Sequence, residues 1–123
     1  MYKRQTYVDD IVEGIYLSSI SKKELIDSNF DSKDPSRSFC KSIIFNLGRG
    51  KPENLEDFIV EIENNLGKTA KRNLMPLQPG DVPDTSADIS GLKDFSGYEP
   101  KTSIKIGVKN FIDWYKEYYK VNL

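Results

Sequence analysis

Read for the spacing of its apolar positions, the chain divides into amphipathic stretches joined by polar segments rich in glycine and proline. Ile11, Val12, Ile15 and Tyr16 fall on one side of a helix, which predicts a helix over residues 9–19. Asp9 stands where a cap would stand, and Asp10 and Glu13 put negative charge into the first turn. Adjacent helix residues do not share a face, so Asp9 and Asp10 read as cap and first turn, not as an acid-base pair. Gly14 costs roughly 1 kcal/mol of helix stability against alanine and therefore signals close packing on a neighbour. Leu55, Phe58, Ile59, Ile62 and Leu66 also recur at helical spacing, with Asn54 as the cap and Gly67 as the stop. Near the end of the chain, Ile104, Gly107 or Val108, Phe111, Ile112, Tyr115 and Tyr118 share a face, which predicts a helix over 103–119 begun by Ser103. Its aromatic stripe is expected to dock the helix on the domain. Ser90 is expected to cap a short helix, Gly91–Ser96, closed by Gly97.

Other stretches lack helical spacing. Ile43, Ile44 and Phe45 form a short apolar run within Lys41–Leu47, ended by Gly48 and Gly50, which predicts a strand covered on both faces. Arg72–Met75 and Thr85–Asp88 are expected to be shorter strands. Ser21–Arg37 is polar and reads as a loop, with a turn at Asp34-Pro35-Ser36 and a short helical piece around Lys23–Ile26. Between the expected strands lies Leu77-Gln78-Pro79-Gly80-Asp81-Val82-Pro83, running on to Ala87-Asp88-Ile89-Ser90. Pro76, Pro79 and Pro83 fix their φ angles and Gly80 permits a tight bend. Such a loop holds Gln78, an amide that donates and accepts, and Asp81, an anionic acceptor, at set positions. That pair suits a sugar hydroxyl or a base, and it equally suits an ordinary solvated loop.

With 123 residues the chain has the length of one modest domain. A content of 37% hydrophobic and 30% charged residues fits a globular protein and argues against disorder. Eighteen Lys plus Arg against nineteen Asp plus Glu give a net charge of -1, so no electrostatic case exists for nucleic acid or an anionic membrane. Cys40 is a single cysteine, which rules out an internal disulfide and is consistent with a cytoplasmic setting. The absence of histidine removes imidazole metal sites and His-dependent triads. Gly48-Arg49-Gly50-Lys51 lacks the spacing of a phosphate-binding loop and reads as a glycine turn.

Thr6-Tyr7-Val8-Asp9-Asp10-Ile11-Val12-Glu13-Gly14-Ile15, Phe45-Asn46-Leu47-Gly48, the LQPGDVPDTSADIS stretch and LKDFSGYEPKTSIKIGVKNFIDWYKEYY follow one another in an order that resembles the C-terminal part of nucleotide-sugar epimerases. These enzymes are extended short-chain dehydrogenase/reductases, and the chain is most similar to their UDP-glucuronate 4-epimerases of capsule and lipopolysaccharide synthesis. The resemblance runs from about Thr6 to Tyr119. It implies an α/β fold in which residues 1–50 are a remnant of the NAD-binding domain, contributing one edge strand and a helix. Residues 51–123 would form a small α/β nucleotide-sugar domain. Met1–Gln5 depart from the family's pattern and are read as an artefactual start, with the chain beginning at a break.

The resemblance further implies a parent enzyme that inverts C4 of a UDP-sugar by transient oxidation with NAD. A tyrosine paired with a lysine four residues on would move the proton. This chain has neither that pair nor a glycine-rich dinucleotide loop, so no catalytic residue, NAD ligand or metal ligand is assigned to it, and NAD would be held by the other part of the parent. Two residues are carried over as contacts to the UDP moiety, Gln78 and Asp81. Relatives with arginine at the first of these would bind diphosphate by charge, which glutamine does not supply. The expected partners are a UDP-sugar and the NAD-binding half, within a parent that is a homodimer. Alternatives are a standalone nucleotide-binding module, a subunit that completes a split enzyme in trans, and a piece of a nucleotide-sugar dehydratase. If the chain straddles two domains, its own fold should leave apolar faces uncovered and it should self-associate.

Overall fold

Helix signals in the sequence translate into structure almost residue for residue. The computed structural model describes residues 2–3, 5–22, 42–80, 82 and 84–121. Along them run β1 (Tyr2–Lys3), α1 (Val8–Ile20), β2 (Glu53–Asn54), α2 (Leu55–Leu66), α3 (Ser90–Ser96) and α4 (Ile104–Tyr119). Cys40, Asp81 and the short helical piece expected near Lys23–Ile26 lie outside the described residues.

Caps explain where α2 and α4 begin and end. The Asn54 side chain accepts from the Glu56 amide at 3.0 Å, and Gly67 ends α2 in the left-handed region at φ 65°. Ser103 accepts from the Ile106 amide at 3.3 Å to start α4. Two caps differ from expectation. Tyr7, not Asp9, occupies the N-cap of α1 and makes no side-chain cap bond, so both aspartates fall in the first turn. Ser90 is the first residue of α3, and the Asp88 carboxylate accepts its amide at 2.9 Å. Asp88 is the better anionic acceptor for that amide, and hydrogen bonding from the Ser90 side chain, then from its amide, holds its carboxyl below the usual carboxylate range.

Side-by-side packing of α2 on α4 and of α1 on α3 builds the molecule. Ala87, Leu92, Tyr98, Val108 and Ile112 form the buried apolar core. Phe45 stacks on Phe95 with centroids 5.0 Å apart, fastening the 42–48 segment to α3. Lys116 Nζ donates to the Asn65 carbonyl at 3.2 Å and joins the last turns of α2 and α4.

The expected strands over 43–47, 72–75 and 85–88 do not form ladders. Ile43 is a single bridge residue, and the rest of these runs has no strand structure among the described residues. Instead the sheet is the antiparallel pair β1–β2, in the register Tyr2↔Asn54 and Lys3↔Glu53. A strand exists only against a partner, and an apolar run without neighbouring strands remains single extended chain. Ile44 accordingly stands 73% exposed. The aromatic stripe of α4 also departs from expectation. Val108 and Ile112 are buried against the domain, while Phe111, Trp114, Tyr115, Tyr118 and Tyr119 remain exposed and pack chiefly on one another.

Candidate functional site

The loop singled out by its prolines emerges from the end of α2. Glu63 organises that exit through both its backbone and its side chain. Its carbonyl accepts from the Gly67 and Lys68 amides, closing the helix. Its carboxylate accepts from the Ala70 amide at 2.8 Å and meets Arg72 Nη2 at 3.4 Å. Arg72 also pairs with Glu56 on the first turn of α2. Beyond Arg72 the chain is exposed from Asn73 to Gly80, with Leu74 93% exposed. Gln78 sits on this exposed segment next to the turn at Pro79-Gly80, where Gly80 takes φ 87°. Gln78 is thus presented to solvent. Its expected companion Asp81 lies outside the described residues.

A second concavity lies between residues 5–8, α2 and α4. This cavity of about 320 Å³ is lined by Tyr7, Val8, Phe58, Ile62, Val108 and Phe111. Arg49 and Glu53, also in its lining, form an ion pair and neutralise one another. Nothing in the sequence pattern pointed to this cavity, because its walls come from three separated stretches.

Two buried polar groups tie the first part of the chain to the last. Asp10, only 4% exposed, accepts from Thr102 N at 3.1 Å, Thr102 Oγ1 at 2.9 Å and Lys101 N at 3.4 Å. Tyr98 is fully buried and its hydroxyl donates to the Gly48 carbonyl at 3.1 Å. Burial, followed by the negative charges of Asp10 and Glu13, raises the Tyr98 pKa. The ring of Tyr98 and the Leu47 side chain occupy the space where a side chain at Gly14 would sit, with Leu47 Cδ1 2.8 Å from that position. Gly14 is therefore the close approach that its cost inside a helix implied.

Among the described residues no glycine cluster forms a seat for a dinucleotide. A pyrophosphate cradle needs clustered glycines between a strand and a helix N-terminus. Here the glycines with positive φ, Gly50, Gly67, Gly80 and Gly97, are scattered over separate turns. Among the described residues no cluster of Asp, Glu, Cys or His could hold a metal ion, and no helix is long and apolar enough to cross a membrane.

The outer side of α1 is of another kind. Its inward face carries Asp10, Gly14, Ser18 and Ser21, and the Ser21 hydroxyl donates to the Phe95 carbonyl at 3.0 Å. Val8, Val12, Ile15, Tyr16 and Ile20 line the outward side and are 52% to 60% exposed. Ile11 and Leu17 are half-buried, but a helix that buries its small and polar residues and exposes most of its apolar ones reverses the usual arrangement. The expectation that this chain leaves apolar faces uncovered is met here.

No family model matches the chain. Among curated relatives, protein CapI of Staphylococcus aureus is 44% identical over 123 residues, covering 98% of this chain and 36% of CapI. UDP-glucuronate 4-epimerase 2 of Arabidopsis thaliana is 37% identical over 116 residues, covering 94% of this chain and 26% of that protein. Among solved structures, the UDP-glucuronic acid 4-epimerase of Bacillus cereus, in complex with UDP-glucuronic acid and NAD, aligns with a TM-score of 0.70 and 27% identity. That alignment covers 93% of this chain and 32% of the enzyme. The chain thus spans between about a quarter and about a third of the length of the relatives it matches.

Proposed function

We propose that this chain, a homologue of the UDP-glucuronate 4-epimerases with the α/β fold of part of an extended short-chain dehydrogenase/reductase, is the C-terminal, substrate-side portion of such an enzyme and is catalytically incomplete alone. The parent reaction would invert C4 of UDP-glucuronate, with NAD supplying the oxidation and the return of hydride. NAD would bind to the NAD-binding half, since the residues of this chain do not fit it. Residues 51–123 would carry the nucleotide-sugar contacts, Gln78 and Asp81 among them. Residues 1–50 would complete the edge of the NAD-binding domain.

The observation that carries this reading is the reversed helix α1. An apolar row 52% to 60% exposed is costly in water, at roughly 25 cal/mol per Å² of apolar surface left uncovered. Its inward face is already committed to α3 and to Thr102. The row therefore calls for a second body of protein, and the part of the relatives that this chain does not span would be that body.

Incubation of the chain alone with UDP-glucuronate and NAD tests the incompleteness. The expected result is no C4 epimer by chromatography and no saturable change in Trp114 fluorescence on NAD titration. Turnover by the chain alone would overturn the proposal.

A further inference from the structure

We infer that Glu63 and Arg72 form a latch that positions the nucleotide loop, an inference resting on the proposed role of Gln78 in contacting the UDP moiety. Glu63 controls the chain at three successive points. Its carbonyl takes the Gly67 and Lys68 amides, and its two carboxylate oxygens take the Ala70 amide at 2.8 Å and Arg72 at 3.4 Å. Arg72 is bound a second time by Glu56, one face of α2 thus holding both arms of the guanidinium. Among the described residues no hydrogen bond or ion pair holds 73–80, so Arg72 is the last anchor before Gln78.

Between that anchor and Gln78 the free tether is reduced to residues 73–77. Pro76 has a fixed φ, and it restricts Met75 as well. Holding Arg72 on α2 thereby shortens the tether and narrows the volume that Gln78 and the turn at Pro79-Gly80 sample. An isolated exposed ion pair contributes little to stability, and this one needs to contribute little. Its effect lies in narrowing the directions in which the loop leaves α2, which lowers the ordering cost of binding. Glu63 and Arg72 are positioning residues in this account and touch no substrate.

Two readouts test the latch. The first is the backbone {1H}-15N NOE of Leu77, Gln78 and Gly80 in the chain itself, which reports motion on the ps–ns timescale. Glu63→Ala and Arg72→Ala should lower these values while those of Val108 and Ile112 stay unchanged. Glu63→Gln keeps an acceptor for Ala70 but loses the ion pair to Arg72, so it should fall between the parent and Glu63→Ala. The second readout uses a chimera in which this chain replaces the matching segment of the Bacillus cereus UDP-glucuronic acid 4-epimerase. There Arg72→Ala should raise KM for UDP-glucuronate about threefold to fivefold with kcat unchanged. Unchanged NOE values in both alanine variants, or an unchanged KM despite a loosened loop, would overturn the latch. A folded chimera with no turnover would instead sink the proposed function, and the NOE comparison would still decide for or against the latch.

Discussion

At the residue scale, the molecule is held by a few polar side chains that act across long sequence separations. Asp10 is the strongest case, since one carboxylate satisfies two amides and a hydroxyl beyond α3. Asp10→Ala should lower stability by about 2 kcal/mol, because hydrogen bonds to a charged group are lost and part-buried donors are left unpaired. Chemical denaturation followed by circular dichroism measures this as a fall in midpoint. Tyr98 makes a different prediction. Its pKa is raised above the ordinary value of 10.0, so the folded state holds the phenolic proton more tightly than the unfolded chain does. Its stabilising effect is complete below about pH 10 and is lost as pH climbs through the raised value, since the unfolded chain ionises first. Tyr98→Phe should remove that alkaline loss, at a cost of about 1 kcal/mol at neutral pH for the bond to Gly48. Denaturation midpoints of both proteins across the alkaline range would show whether the loss follows Tyr98. Neither role was legible in the sequence: Asp10 reads locally as first-turn charge, and its partners lie more than ninety residues away.

At the scale of elements, legibility followed the range of the interactions. Helices α2 and α4 were readable to within a residue, because apolar spacing, an N-cap at Asn54 or Ser103 and a left-handed Gly67 are all local. The strand expected at Lys41–Leu47 was not, because pairing is set by partners the run itself does not specify. β1–β2 joins two dipeptides some fifty residues apart and has no pattern of its own. The face of a helix was legible and its environment was not. Val12, Ile15 and Tyr16 share a side as their spacing implied, but that side points to solvent. Replacing Val12 and Ile15 by lysine should therefore leave the melting temperature within a few degrees of the parent and weaken self-association by about tenfold or more. Sedimentation velocity over a concentration series measures this. A parent chain that stays monomeric throughout would argue against the uncovered face as an interface.

At the scale of the whole molecule, the chain pairs a folded helical body with a surface that calls for company. α2 carries the proline-rich loop rooted by Glu63 and Arg72, and α1 offers an apolar row that nothing within the described residues covers. The relatives are about three times as long, and solved relatives hold UDP-glucuronic acid and NAD together. Part of the candidate site, Gln78 on a stiff loop, was legible from proline and glycine placement. The cavity beside Arg49 and the latch on Glu63 were not, since both arise from packing between separated elements. The most direct test of the account is the turnover of UDP-glucuronate by the chimera that carries this chain in place of the matching segment of the Bacillus cereus enzyme. The account predicts formation of the C4 epimer, NAD-dependent and weakened by Gln78→Ala. A chimera that folds and retains NAD yet forms no epimer, beside an active host enzyme, would contradict it.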